Sequence, residues 1–188
     1  PQAVMKVLTE ALLLTGCVVA TARMYSRSNS YVGTDFFSGW TFWTAPDPSR
    51  GAVKYVDFAE AAVAGLVNAT PTRVYIGVDV GLVAGGTNRR SVRIQSRATF
   101  NQGLFVATVD HAPTGCGLWP ALWLYGQDGA HAWPAWGEYD IVEATHRANQ
   151  VMTSLHTSAD CDQSRFRGGA GVRWMAGPAG RAADNCDV

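Results

Sequence analysis

The chain has 188 residues, 15 basic and 15 acidic side chains, and therefore no net charge; 47% of residues are hydrophobic and only 16% charged. A chain this long and this apolar buries a core, which excludes an intrinsically disordered protein. The 13 Arg and 2 Lys are scattered apart from Arg89-Arg90, so no nucleic-acid footprint is present, and no run of about 20 apolar residues offers an ordinary membrane span.

The opening residues read as an address. From Met5, Lys6 is a short positive region, Leu8 to Val19 is apolar apart from Glu10, and Ala20-Thr21-Ala22 is a small-x-small cleavage site. Residues 1–22 are expected to be a secretory signal peptide and the product secreted. Glu10 supports an amphipathic N-terminal helix as the alternative, and Leu14-Thr15-Gly16-Cys17 also has the form of a lipoprotein box. Residues 23–188 are expected to form one domain.

Within it, short apolar runs alternate with Gly, Pro, Asn and Asp at the spacing of an all-β protein. Residues 57–67 have helical composition and are expected to form a single turn or short helix. Asn68-Ala69-Thr70 is a glycosylation sequon, Asn68 being the acceptor. Strands are expected over Val74–Val83, over Ser91–Ser96 with its period-two alternation, and over Leu104–Asp110. Three more are expected over Leu118–Tyr125, Glu138–Ala144 and Met152–His156. Seven Trp and 20 Gly with few charges fit β-structure with an aromatic-lined surface. Many short strands define a sandwich or barrel.

The cysteines left after residue 22 are Cys116, Cys161 and Cys186. Cys161 and Cys186 lie in polar, loop-like sequence and are the expected bridge, contributing roughly 3 kcal/mol in the chain-entropy model.

The acids carry the chemistry. Only Glu60, Glu138 and Glu143 remain as glutamates after residue 22. Glu138 and Asp140 share one face of a strand. Glu143 has the wrong parity, and a β-bulge around Ile141 or Val142 would return it to that face. A helix would scatter the three around its axis. Three carboxyls in one cleft drive their proton affinities apart, as retaining glycoside hydrolysis requires. A di-metal reading of Glu143-x-x-His146 needs a helix and a second copy, and neither is visible.

Glu138-x-Asp140-x-x-Glu143 resembles the bulged catalytic motif of glycoside hydrolase family 16, the laminarinase and endo-β-1,3(1,4)-glucanase group. Gly115-Cys116-Gly117-Leu118-Trp119-Pro120-Ala121-Leu122-Trp123 is similar to that group's segment one strand earlier, and Leu155-His156-Thr157 to the strand after. Asp35-Phe36-Phe37 and Asp47 to Tyr55 resemble the N-terminal region of fungal-type members, with Ser49-Arg50 replacing the usual Thr-His. The resemblance implies a concanavalin A-like jelly-roll β-sandwich. It implies Glu138 as nucleophile, Glu143 as acid/base and Asp140 as the assisting acid.

Trp119 and Trp136 are expected to line the cleft. Trp123 is balanced between cleft and core, and Trp40 and Trp43 are expected to lie in the core or away from the chemistry. His156 is expected to bond substrate or Asp140. Arg93 and Arg97 could reach sugar hydroxyls, with a solvated surface as the default. The partner is a β-glucan polysaccharide, and no cofactor or catalytic metal is expected, although family members can carry a structural calcium. A monomer is expected. The function implied is an endo-acting retaining β-1,3 or mixed-linkage β-1,3(1,4)-glucanase. The alternatives are a cell-wall glucan transglycosylase and a non-catalytic β-glucan-binding lectin, the latter expected to lack one or more of the acids. Only 45 residues follow Glu143, so the sandwich is expected to be incomplete at its C-terminus, with unpaired edges and exposed apolar faces.

Overall fold

The computed structural model describes residues 24–81, 88–161, 163 and 165. Residues 1–22, expected to be a signal peptide, and Cys186 lie outside the described residues. Nine strands follow one another among the described residues: β1 (Trp40–Phe42), β2 (Val53–Tyr55), β3 (Val67–Ala69), β4 (Val74–Ile76), β5 (Arg89–Ser91), β6 (Ile94–Ser96), β7 (Ala121–Tyr125), β8 (Glu138–Glu143) and β9 (Met152–His156). The single described α-helix, α1 (Phe58–Val63), lies between β2 and β3.

Short sequence signals account for α1. Asp57 precedes it with extended backbone, and its side chain accepts the backbone N–H of Glu60 at 2.8 Å, capping the first turn. Glu60 also pairs with Lys54 at 2.8 Å. Gly65 (φ +69°) follows the helix, a conformation that costs glycine nothing. The turn lets Ala61, Leu66 and Val67 close over Val56, and these four are the buried apolar residues among those described. Phe37, Phe42, Ala64 and Val92 pack around them.

The strands pair locally. β1 pairs antiparallel with β6, β2 parallel with β5, and β3 antiparallel with β4. The largest described sheet has the order β7-β8-β9, antiparallel throughout. Among the described residues, no helix is long and apolar enough to cross a membrane.

Several sequence expectations are corrected. Leu104–Asp110 is not a strand in the described structure: it has no sheet partner among the described residues, and Leu104, Phe105, Val106 and Val109 are exposed. Its β-branched and aromatic residues suit a strand, but a strand exists only where another backbone pairs with it. The expected Val74–Val83 strand ends at Ile76, and residues 82–87 lie outside the described set. Ser91–Ser96 is two strands, because Ser91 closes the pairing with β2 and Ile94 opens the pairing with β1. The strand expected from Leu118 begins at Ala121, just after Pro120, which has no N–H to donate. β1, β2 and β3 are additions, each three residues long and too short to show a periodicity, and the helix expected within 57–67 ends at Val63, before β3 begins at Val67.

Candidate active site

The β7-β8-β9 sheet builds the site through its register. Tyr125, Trp123 and Ala121 of β7 stand opposite Glu138, Asp140 and Glu143. On the other side, His156, Ser154 and Met152 of β9 oppose the same three acids. Directly opposed residues project to the same face, so all three carboxyls share one face. The bulge makes this so. Leu122 pairs with Val142 and Trp123 with Asp140, leaving Ile141 without a counterpart on β7. On β9, Thr153 alone stands opposite Ile141 and Val142, and its hydroxyl donates to the Ile141 carbonyl at 3.1 Å. Without the extra residue Glu143 would point to the opposite face.

Each carboxyl has its own partners. The Trp133 indole Nε1 donates to Glu138 Oε2 at 3.0 Å. The Trp119 indole Nε1 donates to Glu143 Oε1 at 2.6 Å, and Ser154 Oγ lies 3.4 Å from Glu143 Oε2. Asp140 is only 4% exposed, and its Oδ2 is 3.1 Å from His156 Nε2. That contact assigns the Nε2–H tautomer to His156 when Asp140 is ionised, leaving Nδ1 buried and unpartnered.

Burial is the largest influence on two of the acids. It raises Glu138 above the ordinary carboxyl range, the charge of Asp140 adds to the rise, and the Trp133 N–H, His156 and Arg93 oppose it. Burial likewise raises Asp140, the Glu143 charge reinforces it, and His156 opposes it. Crowded carboxyls that cannot all ionise without cost can share and move protons.

Glu138, Asp140 and His156 each place an atom within 4.8 Å of the others. Asp140 and His156 already bond each other and Glu138 already accepts an indole proton. Two of the three are thus joined to each other, and the third to Trp133, by hydrogen bonds. The Glu143–His146 metal reading is set aside: Glu143 lies in a strand, and His146 Nδ1 accepts the Gly117 N–H at 3.0 Å.

The expected aromatic residues divide. Trp119 is 60% exposed and touches Glu143. Trp123 is half-buried on the carboxyl face, stacked on Tyr125 with ring centroids 5.0 Å apart. Trp136 flanks Tyr125, at 6.5 Å, but bonds none of the acids, and its indole N–H is buried without a partner. Trp43, expected in the core or away from the chemistry, reaches the site through Arg93, whose guanidinium lies 4.7 Å from the Trp43 ring and 4.8 Å from the Trp123 ring. Arg93 is thus held at the cleft by two cation–π contacts. Arg97 donates to the Ser38 carbonyl at 3.1 Å and lines a separate groove of about 680 Å³ with Phe37, Trp40, Phe42 and Phe58, which contains none of the three acids.

Sequence reasoning assigned no site role to Trp133, Ser154, Tyr125 or Gln95. Tyr125 donates its hydroxyl to Gln95 Oε1 at 2.8 Å, tying β6 to this sheet. The parity of the β9 run placed Ser154 on the face of His156, which was the available signal. Trp133 sits in a loop with no periodicity. That loop is closed by the Gly126 N–H on the Gly137 carbonyl at 2.8 Å. Gly126 is required there because a Cβ would collide with the Trp136 carbonyl. Cys116 and Cys161 make no bridge among the described residues, and Cys186, the expected partner of Cys161, lies outside them. Asn68 is exposed on β3.

Three carboxyls thus share one face of an antiparallel sheet, with indole donors and stacked rings beside them. The XgeA-like catalytic GH16 domain matches residues 40–182. The chain therefore belongs to glycoside hydrolase family 16 and has its all-β jelly-roll fold. It is 37% identical over 155 residues to an endo-1,3(4)-beta-glucanase of Arthroderma benhamiae, covering 81% of this chain and 33% of that protein. Its structure is similar to GH16 laminarinase 16A from Phanerochaete chrysosporium, solved with two β-glucans in donor and acceptor sites (TM-score 0.70, 34% identity, 85% of this chain and 51% of that one). It is also similar to an elongating GH family 16 beta-1,3-glucosyltransferase (TM-score 0.65, 35% identity, 73% of this chain and 46% of that one). The chain spans about a third of the Arthroderma relative and about half of the solved laminarinase.

Proposed function

We propose that the protein is an endo-acting retaining glycoside hydrolase of β-1,3 or mixed-linkage β-1,3(1,4)-glucan. The observation that carries this reading is the bulged register that turns Glu138, Asp140 and Glu143 to one face. Glu138 attacks the anomeric carbon and displaces the glycosidic oxygen, which takes a proton from Glu143. The product of this step is a glycosyl ester on Glu138. Glu143, now ionised, takes a proton from water, which attacks the same carbon and releases the sugar with its original configuration. Asp140, bonded to His156, holds its charge or its proton between the two and sets the electrostatics of both steps.

A second reading has a specific observation behind it. A transglycosylase uses the same covalent intermediate and passes it to an acceptor sugar, and one similar structure is an elongating glucosyltransferase. Product sizing on laminarin, mixed-linkage glucan, xyloglucan and agarose, with and without an acceptor oligosaccharide, tests both. Short products that do not lengthen on addition of acceptor support hydrolysis, and lengthened products support transfer. Binding of laminarin with no product of either kind would make the chain a lectin.

Trp119→Ala is expected to weaken laminarin binding about 10-fold, or ~1.4 kcal/mol, and to leave the melting temperature nearly unchanged, because the ring is mostly exposed. Calorimetric titration in a Glu138→Gln background separates binding from turnover. A large loss of stability with unchanged affinity would make the ring a packing element instead.

The reading extends to a secreted monomer. Residues 1–22 would serve as its signal peptide, Asn68 would carry a glycan, and Cys161–Cys186 would form a bridge. What supports it is the small-residue cleavage pattern at Ala20-Thr21-Ala22, the exposure of Asn68, and the oxidising compartment that secretion implies.

A further inference from the structure

We infer that Trp133 is a positioning residue for Glu138: its indole N–H holds Oε2 of that carboxylate and leaves Oε1 free to attack. The inference rests on the reading of Glu138 as the nucleophile. Three observations carry it. The contact is direct, Nε1 to Oε2 at 3.0 Å. The ring is braced by His156, with centroids 5.9 Å apart at 43°, so one aromatic side chain spans from β9 to the acid of β8. The loop that presents it is held by two overlapping turns, the Ala135 N–H on the Ala132 carbonyl and the Gly137 N–H on the Pro134 carbonyl, and is closed by the Gly126 N–H on the Gly137 carbonyl, each at 2.8 Å.

The chemistry of the donor matters. An indole N–H donates and cannot accept, so it favours the ionised carboxylate and can never take the nucleophile's proton. A carboxylate with one oxygen so held is also restricted in rotation, which keeps the attacking oxygen near its productive position. The surroundings need such a donor. Glu138 faces Asp140 on its own strand, Tyr125 from β7, His156 from β9 and Arg93 from the segment between β5 and β6. Burial and Asp140 push it toward the protonated, non-nucleophilic form, and the Trp133 N–H opposes them. Half of the Trp133 ring remains exposed, so its placement is not explained by core packing.

Trp133→Phe keeps an aromatic ring against His156 and removes the N–H. The expected result with laminarin is a fall in kcat of about 10-fold with KM little changed, and an acid limb of the pH–rate profile moved to higher pH by about half to one unit. The alkaline limb should stay in place. Replacement of Trp133 by benzothienylalanine, which keeps the bicyclic shape and deletes only the N–H, should reproduce both changes. It also covers the case in which the Phe variant folds poorly. An unmoved acid limb in the benzothienyl protein, or a change confined to KM, would overturn the inference. Labelling by a 2-deoxy-2-fluoro glycoside tests the parent reading separately. Wild-type protein labelled on Glu138 upholds it, and label on another residue overturns both.

Discussion

Glu138→Gln is expected to lower turnover of laminarin by about 10⁴-fold or more, a barrier increase of roughly 5 kcal/mol. The amide is nearly the same size and cannot attack the anomeric carbon. Its carbonyl oxygen can still accept the Trp133 N–H that Glu138 accepts now, so the site should keep its shape and still bind laminarin. The sign of the stability change follows from the direction of the titration. Burial and the neighbouring Asp140 raise Glu138 above its ordinary value. The folded protein then holds this proton more tightly than the unfolded chain does, so ionising the group costs stability once the pH exceeds its folded value. The cost vanishes below the unfolded value. Gln never ionises, so the variant should melt at the same temperature or higher at neutral pH, and the difference should close in acid. Calorimetric melts at several pH values check this, and single-turnover kinetics check the chemistry. Substantial residual activity in a clean preparation would sink the nucleophile assignment.

Glu143→Ala should separate substrates by their leaving groups. Polysaccharide leaves as a poor alkoxide and needs a proton, so turnover on laminarin should fall by about 10²–10⁴-fold. An aryl glycoside with an activated phenolate leaving group should form the glycosyl ester at nearly the original rate and then stall, since no base remains to activate water. Azide should restart the second step. It is small, needs no base, and would enter the space vacated beside Trp119 Nε1 and Ser154 Oγ, both of which now contact Glu143. The product should be a glycosyl azide of retained configuration, readable by proton NMR coupling constants. Equal losses on the two substrate types, or an azide product of inverted configuration, would contradict the assignment of Glu143 as acid/base.

The alternation of apolar and polar residues in Glu138–Glu143 is a local property, and it determined by itself that the acids lie on a strand and that a bulge is needed to align them. The bulge is where parity demanded it, at Ile141 and Val142. The helical composition of residues 57–67 is likewise local, and in the structure Asp57 caps the short helix through a contact spanning three residues. The tertiary structure decided what depends on backbone far away in the chain. Leu104–Asp110 has strand-forming residues but no partner among the described residues, whereas Trp40–Phe42 and Val53–Tyr55 are strands because β6 and β5 reach them. The same holds for the donors. Trp119 meets Glu143 across 24 residues and Tyr125 meets Gln95 across 30. Arg93 is clamped by Trp43 and Trp123 from opposite sides in sequence. A tryptophan's composition makes it equally suited to core or cleft, since it is a large apolar body with one polar tip. Which of the seven serves the acids is settled by where the loops carry that tip, and loop geometry has no period for a sequence to display.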